Sequence, residues 1–180
     1  MINVIDLAHY RAKQFFAALK PSLSVEDWQL VESVFQENAP ALALFRHMST
    51  ADQQHAISVL RTLLLHGKDH WALQQAALLH DVGKVSGQPL IYRVAIVLLN
   101  AFCPASLRKL AQGSLTCAAW RRPFVVHAQH PQIGATWAQE AGCSDAVVTL
   151  IRVHQEKPPD HPETLLEHLH QALYEADSAN

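Results

Sequence analysis

Glycine is scarce in this sequence, with six residues spread singly along 180 positions. No stretch offers the clustered glycines that a phosphate-cradling loop or a dinucleotide-binding turn requires. The patterns G-x-S-x-G, H-E-x-x-H and C-x-x-C are also absent, which leaves the common nucleophile and zinc-finger readings without support. Cysteine is nearly as rare. Cys103, Cys117 and Cys143 are odd in number and show no paired spacing, so they read as buried free thiols in a reducing compartment, with the cytoplasm as the expected location.

Long apolar runs are missing as well. The most apolar stretch, Val94 to Cys103, is too short to cross a bilayer, which takes ~20 residues. Met1 to Lys20 has polar residues every few positions instead of a charged patch followed by an apolar run, so no signal peptide is expected, nor a membrane partner. Neither sign of charge dominates: the formal net charge is -2. No polyanion such as nucleic acid is therefore expected as a partner. The basic pairs Arg108-Lys109 and Arg121-Arg122 read as local solvated faces. Gly/Ser linkers, repeats and low-complexity tracts are absent, and the length suits a single domain over residues 1–180.

What is present is hydrophobic helix. With 49% apolar residues the chain is rich enough to bury a core, and the apolar spacing predicts an all-α fold. Helices are expected from Val4 to Leu19, from a Ser24–Asp27 cap to Glu37, and from Ser49 or Thr50 to a stop at Gly67. Pro40 to Phe45 reads as a short apolar turn. Further helices are expected over His70–Val82, Leu90–Phe102 and Ser106–Gln112. An irregular connection then runs to Phe124. Next, Pro131 sits at the first turn of a helix to Ala141, which Gly142 ends. Ser144 caps a helix through His154, and Pro162 opens the last one, to about Ala176.

Histidine is also abundant: twelve, against sixteen carboxylates. It is the commonest metal ligand and acid–base residue near neutral pH, so position decides its meaning. His55 shares a helical face with Val59, Thr62 and Leu63. His80 follows Leu73, Ala76 and Ala77, and His154 lies one turn beyond Leu150 and Ile151. Asp177 stands one turn after Leu173. Each polar group thus falls on an inward apolar stripe near a helix end. A carboxylate buried among Leu and Ala is costly unless it is paired or bound to a cation, and several such groups converging on a core suggest a metal. A core histidine satisfied by hydrogen bonds is the plainer reading of any one of them. His9, His47, His66, His70, His161, His168 and His170 are assigned to surfaces or helix ends, and His127, one turn from His130, to either a supporting or an unrelated role.

The stretch Ala76-Ala77-Leu78-Leu79-His80-Asp81-Val82-Gly83-Lys84 resembles the signature of HD-domain metal-dependent phosphohydrolases, of the HDIG type. His55 to Val59 is similar to that family's first-ligand helix. His130-Pro-Gln-Ile-Gly134-Ala135 resembles the segment supplying a further histidine. Ile151-Arg-Val-His154-Gln155-Glu156 resembles the next, and Tyr174-Glu-Ala-Asp177 the closing aspartate. The likeness covers residues 49–177, leaving 1–48 as a helical extension. It departs from the HD-GYP branch at Gln155, where that branch has a second histidine, and in lacking a Gly-Tyr-Pro. Asp177 also lies in a final turn, where helices fray.

The resemblance implies a metal centre of His55, His80, Asp81, His130, His154 and Asp177, with one or two divalent ions. Imidazole and carboxylate ligands without thiolate suit Mn, Fe, Co, Ni or Zn. It implies His55, His80 and Asp177 on one ion, His130 and His154 on the other, and Asp81 bridging, with a metal-activated hydroxide attacking a small-molecule phosphoester, a nucleotide or related compound. Alternatively, His130 or His154 contacts substrate only. Lys84, one turn beyond His80, either neutralises a phosphate oxygen or complements the helix macrodipole. Arg93, Arg121 and Arg122 are weaker phosphate-clamp candidates. A regulatory or interaction module that keeps the fold without turnover is the other class of function, and a purely structural helical adaptor a third; substrate and oligomeric state are not readable.

Overall fold

The computed structural model describes residues 22–36, 38–84 and 90–180, and among them every regular element is a helix. In chain order these are α1 (Val25–Phe35), α2 (Ala39–His47), α3 (Thr50–Leu65), α4 (Trp71–Leu79), a 3-10 turn (Val82–Lys84), α5 (Leu90–Phe102), α6 (Pro104–Ala111), α7 (Arg122–Glu140), α8 (Asp145–Val153) and α9 (Leu165–Ala179). The all-α expectation holds. The helix expected over Val4–Leu19, and His9 on it, lie outside the described residues, as does the side chain of Arg93.

Helix starts follow local chemistry. Free amides in a first turn need acceptors, and Ser24 and Thr164 supply them in reciprocal capping boxes with Asp27 and Glu167. Ser49 and Ser144 accept from the Asp52 and Val147 amides. Stops are set by left-handed glycines, Gly67 at φ 67° and Gly142 at φ 75°, a conformation cheap only without a Cβ.

Several expectations need correction. Residues 39–47 form a full helix, not a short turn, because the Asn38 side chain caps it at the Ala41 amide ahead of Pro40. The helix predicted to Val82 ends at Leu79, with His80 and Asp81 in a turn. Pro131 lies inside α7 rather than opening it, and the last helix starts at Thr164's cap, beyond Pro162. Ser106 does not cap α6, which begins at Pro104. The cysteines are free as expected, but Cys103 is exposed and the other two are half-buried. His170, expected on a surface or at a helix end, is buried within α9 and contacts the Glu156 carbonyl at 3.1 Å, so it holds the loop between α8 and α9.

The core centres on α4, whose Ala72, Leu73, Ala76, Ala77, Leu78 and Leu79 are fully buried. Small alanines let α1, α3, α8 and α9 approach it from different sides. Each buried leucine contributes about 1.5–3 kcal/mol, so this helix is fixed in place by its neighbours, and whatever follows its last residue is fixed too. A smaller cluster of Ile96, Leu107 and Phe124 joins α5 and α6 to the first turn of α7. No described helix is long and apolar enough to cross a membrane.

Candidate metal centre

His80 and Asp81 leave the end of α4 just before the 3-10 turn that packs on α7. Two glycines make that meeting possible. A Cβ on Gly83 would stand 2.1 Å from the His130 carbonyl oxygen and 2.7 Å from the Gly134 amide nitrogen. A Cβ on Gly134 would press on the Val82 side chain at 3.1 Å and the Gly83 nitrogen at 3.2 Å. Backbone thus lies on backbone, and Asp81 is carried to within 3.3 Å of His130.

All six residues singled out in the sequence come together here. Asp81 is 2% exposed and uses both carboxylate oxygens. Its Oδ2 faces His80 Nε2 at 3.4 Å, His55 Nε2 at 3.9 Å and Lys84 Nζ at 2.5 Å. Its Oδ1 faces His130 Nε2 at 3.3 Å and His154 Nε2 at 3.8 Å. Asp177 Oδ1 accepts from His55 Nε2 at 2.9 Å and lies 3.5 Å from His80 Nε2. Two groups could each hold a metal ion: His55, His80 and Asp81 on one side, and Asp81, His130 and His154 on the other. Asp81 belongs to both. The final turn bearing Asp177 is tied down, because the Asn180 side-chain amide donates to the Thr62 hydroxyl and the Ala176 carbonyl.

The backbone sets the tautomer of three imidazoles. Nδ1 of His80, His130 and His154 lies 2.9, 2.7 and 2.7 Å from the carbonyl oxygen three residues earlier. A carbonyl only accepts, so each Nδ1 carries a proton and each ring turns its Nε2 inward, where it offers a lone pair whenever the ring is neutral. His80 and His154 do this at helix ends, where last-turn carbonyls have no helical partner. His130 sits mid-helix, and Pro131 solves the problem. Lacking an N–H, Pro131 leaves the His127 carbonyl free for His130 Nδ1.

The Nε2 atoms of His130 and His154 then stand 3.3 Å apart beside Asp81 Oδ1. His80 Nε2 is fully buried and makes no hydrogen bond of acceptable geometry, although two carboxylate oxygens lie near it. Inward Nε2 atoms around two carboxylates, with His80 Nε2 left without a hydrogen bond, form a donor set that suits a divalent cation.

In the protein without metal, the same groups hold one another in shifted charge states. Burial works to lower the pKa of His80, but Asp81 and Asp177 outweigh it and hold it up at about 10. Burial opposes ionisation of Asp81, yet Lys84 and His80 keep it well below the usual carboxylate range. Asp177 is lowered too, its own burial overcome by His55 and His80. Burial pushes His154 down to about 3, with His80 adding to the effect. His127, stacked on His130 at 6.1 Å, is pushed by burial to about 4. Lys84, about one-third exposed, is raised by Asp81 against its burial.

Four contributors went unread in the sequence. Gly83 and Pro131 act through the backbone, as above. Asp52, buried one turn before His55, accepts from Ser49 and adds negative charge near Lys84. Gln53 donates to the Phe45 carbonyl at 3.0 Å and fixes α2 to α3. The proline itself was the available clue to its own backbone effect. Arg121 and Arg122, weighed as phosphate clamps, spend their guanidinium groups on carbonyls of residues 109–115. No protein-family model, curated protein or solved structure matches this chain.

Proposed function

We propose that this protein is a metal-dependent phosphohydrolase that cleaves a phosphomonoester or phosphodiester, of a nucleotide or related small molecule. The observation that carries the proposal is Asp81, buried and shared between two imidazole groups, with the unpartnered His80 Nε2 beside it. His55, His80 and Asp177 would hold one cation, His130 and His154 a second, with Asp81 between them. Mn, Fe, Co, Ni or Zn fits these donors, and such ions supply Lewis acidity and lower the pKa of water.

The chain's own groups do the rest. Carbonyl bonds to Nδ1 keep three rings oriented before any ligand arrives, so little reorganisation accompanies binding. Lys84 neutralises Asp81 in the free protein. With a cation bound, the Lys84 ammonium would be available to a phosphate oxygen at the exposed side of the site. His55 and Asp177, about a quarter exposed, mark that opening.

The test is turnover of p-nitrophenyl phosphate, its bis-ester and a nucleotide panel by full-length protein with Mn. Chelator-sensitive hydrolysis that His80→Ala abolishes is expected. Tight metal binding with no hydrolysis of any member would replace this reading by a regulatory module that keeps the centre without catalysis.

A further inference from the structure

The segment carrying α5, α6 and the connection to α7 has a character unlike the rest of the molecule. Of the eleven exposed large apolar side chains among the described residues, seven lie between Ile91 and Trp120. On α5 they form a stripe. Ile91, Val94, Leu98 and Phe102 recur at helical intervals and are 72%, 49%, 52% and 78% exposed, with Val97 alongside. The opposite face, Tyr92, Ala95, Ile96 and Leu99, packs on the small cluster with Leu107 and Phe124. Apart from Arg93 and the exposed Asn100, the helix thus carries apolar side chains on both faces while one of them stays uncovered, which is unusual for a water-facing surface.

Charge is equally one-sided. No Asp or Glu occurs between Asp81 and Glu140, whereas Arg93, Arg108, Lys109, Arg121 and Arg122 all do. The chain as a whole is acidic by two charges, so this segment is a basic island. Arg121 and Arg122 bond to backbone carbonyls, while Arg108 and Lys109 point outward on α6, and Trp120 is 57% exposed.

We infer that α5, α6 and the Trp120 loop form a docking surface for the face of an anionic phospholipid bilayer. An apolar stripe supplies insertion to the acyl boundary, lysine and arginine meet lipid phosphates, and tryptophan suits the interface between them. The helix is too short to span, so attachment is peripheral. Self-pairing fits less well. A two-fold dimer over this face would set basic islands of the same sign near each other with no carboxylate in the segment to offset them. This surface shares no residue with the metal centre, and the inference does not depend on the reaction proposed there.

The experiment is co-sedimentation of full-length protein with vesicles of phosphatidylcholine alone or mixed equally with phosphatidylglycerol, at low and high salt. Binding to the anionic vesicles is expected, weakened by salt. Ile91→Ser/Phe102→Ser should abolish it. Arg108→Gln/Lys109→Gln should weaken it about 25-fold, at about fivefold per charge. Both pairs are exposed, and unchanged circular dichroism checks that the variants fold. A blue shift of tryptophan emission on binding should disappear in Trp120→Phe. Failure to bind anionic vesicles overturns the inference. So does equal binding to both vesicle types, or a dimer in sedimentation that Ile91→Ser/Phe102→Ser dissolves.

Discussion

Replacing Asp81 by Asn keeps the shape of the side chain and removes the one charge shared by both candidate groups. His55→Ala or His130→Ala touches a single group, so the two kinds of variant should differ in kind. In the metal-free protein the substitution is softened. His80 is charged because of Asp81 and Asp177, so it loses its proton more readily when Asp81 is neutralised. Lys84 is about one-third exposed and turns to water. Loss of a buried partner therefore costs less than the ~3–5 kcal/mol typical of a stranded charge. The effect on metal is much larger. An ion at about 100 times its Kd stabilises the native state by about 2.7 kcal/mol. For a chain of this size that raises Tm by roughly 5–10 °C. Differential scanning fluorimetry with Mn, then with chelator, should show this rise in the wild type and none in Asp81→Asn. The affinity loss should exceed the ~100-fold that removing an outer partner of a ligand reaches. An unreduced metal-induced shift in Asp81→Asn would refute the bridging assignment.

Other consequences follow from single contacts. Gly83→Ala places a methyl against the His130 carbonyl at 2.1 Å, so chemical denaturation should report a loss at or above the ~1–3 kcal/mol of ordinary overpacking, with metal binding impaired. Pro131→Ala restores an amide that competes with His130 Nδ1 for the His127 carbonyl. Calorimetric titration should show one class of metal site weakened about tenfold without loss of helical circular dichroism. Metal binding should also release protons. His80 is held at about 10 against an ordinary 6.5, so between those values the free protein carries a proton that the metal must displace. Apparent affinity should climb up to tenfold per pH unit across that window and level off above it. Titrations at pH 8 in buffers of different ionisation enthalpy should give about one proton per chain, and pH-independent affinity would contradict the raised His80.

How far the sequence carried depended on the scale of the cause. Local chemistry was legible: Ser24, Ser49 and Ser144 cap helices as expected, and Leu90–Phe102 has the expected bounds. Inward stripes placed His80, His154 and Asp177 correctly, because 3.6-residue periodicity survives into the packed fold. What could not be read were effects of backbone meeting backbone. The contact of Gly83 with α7 joins residues far apart in sequence, and a glycine on its own announces no partner. Pro131 followed the rule that proline opens helices, and failed because α7 is long enough and buried enough to hold an internal proline whose freed carbonyl has a new donor. His170 looked solvent-facing because its partner, the Glu156 carbonyl, comes from the preceding loop and leaves no mark on the helical pattern around it.

The centre as a whole is tested most directly by counting ions. Full-length protein equilibrated with Mn and freed of excess should hold two equivalents by elemental analysis. His130→Ala should hold one, since His55, His80, Asp81 and Asp177 remain, and Asp81→Asn should retain neither firmly. A wild type that binds no ion would contradict the account at its root, and one that binds a single ion equally well in His130→Ala would remove the second half of the centre.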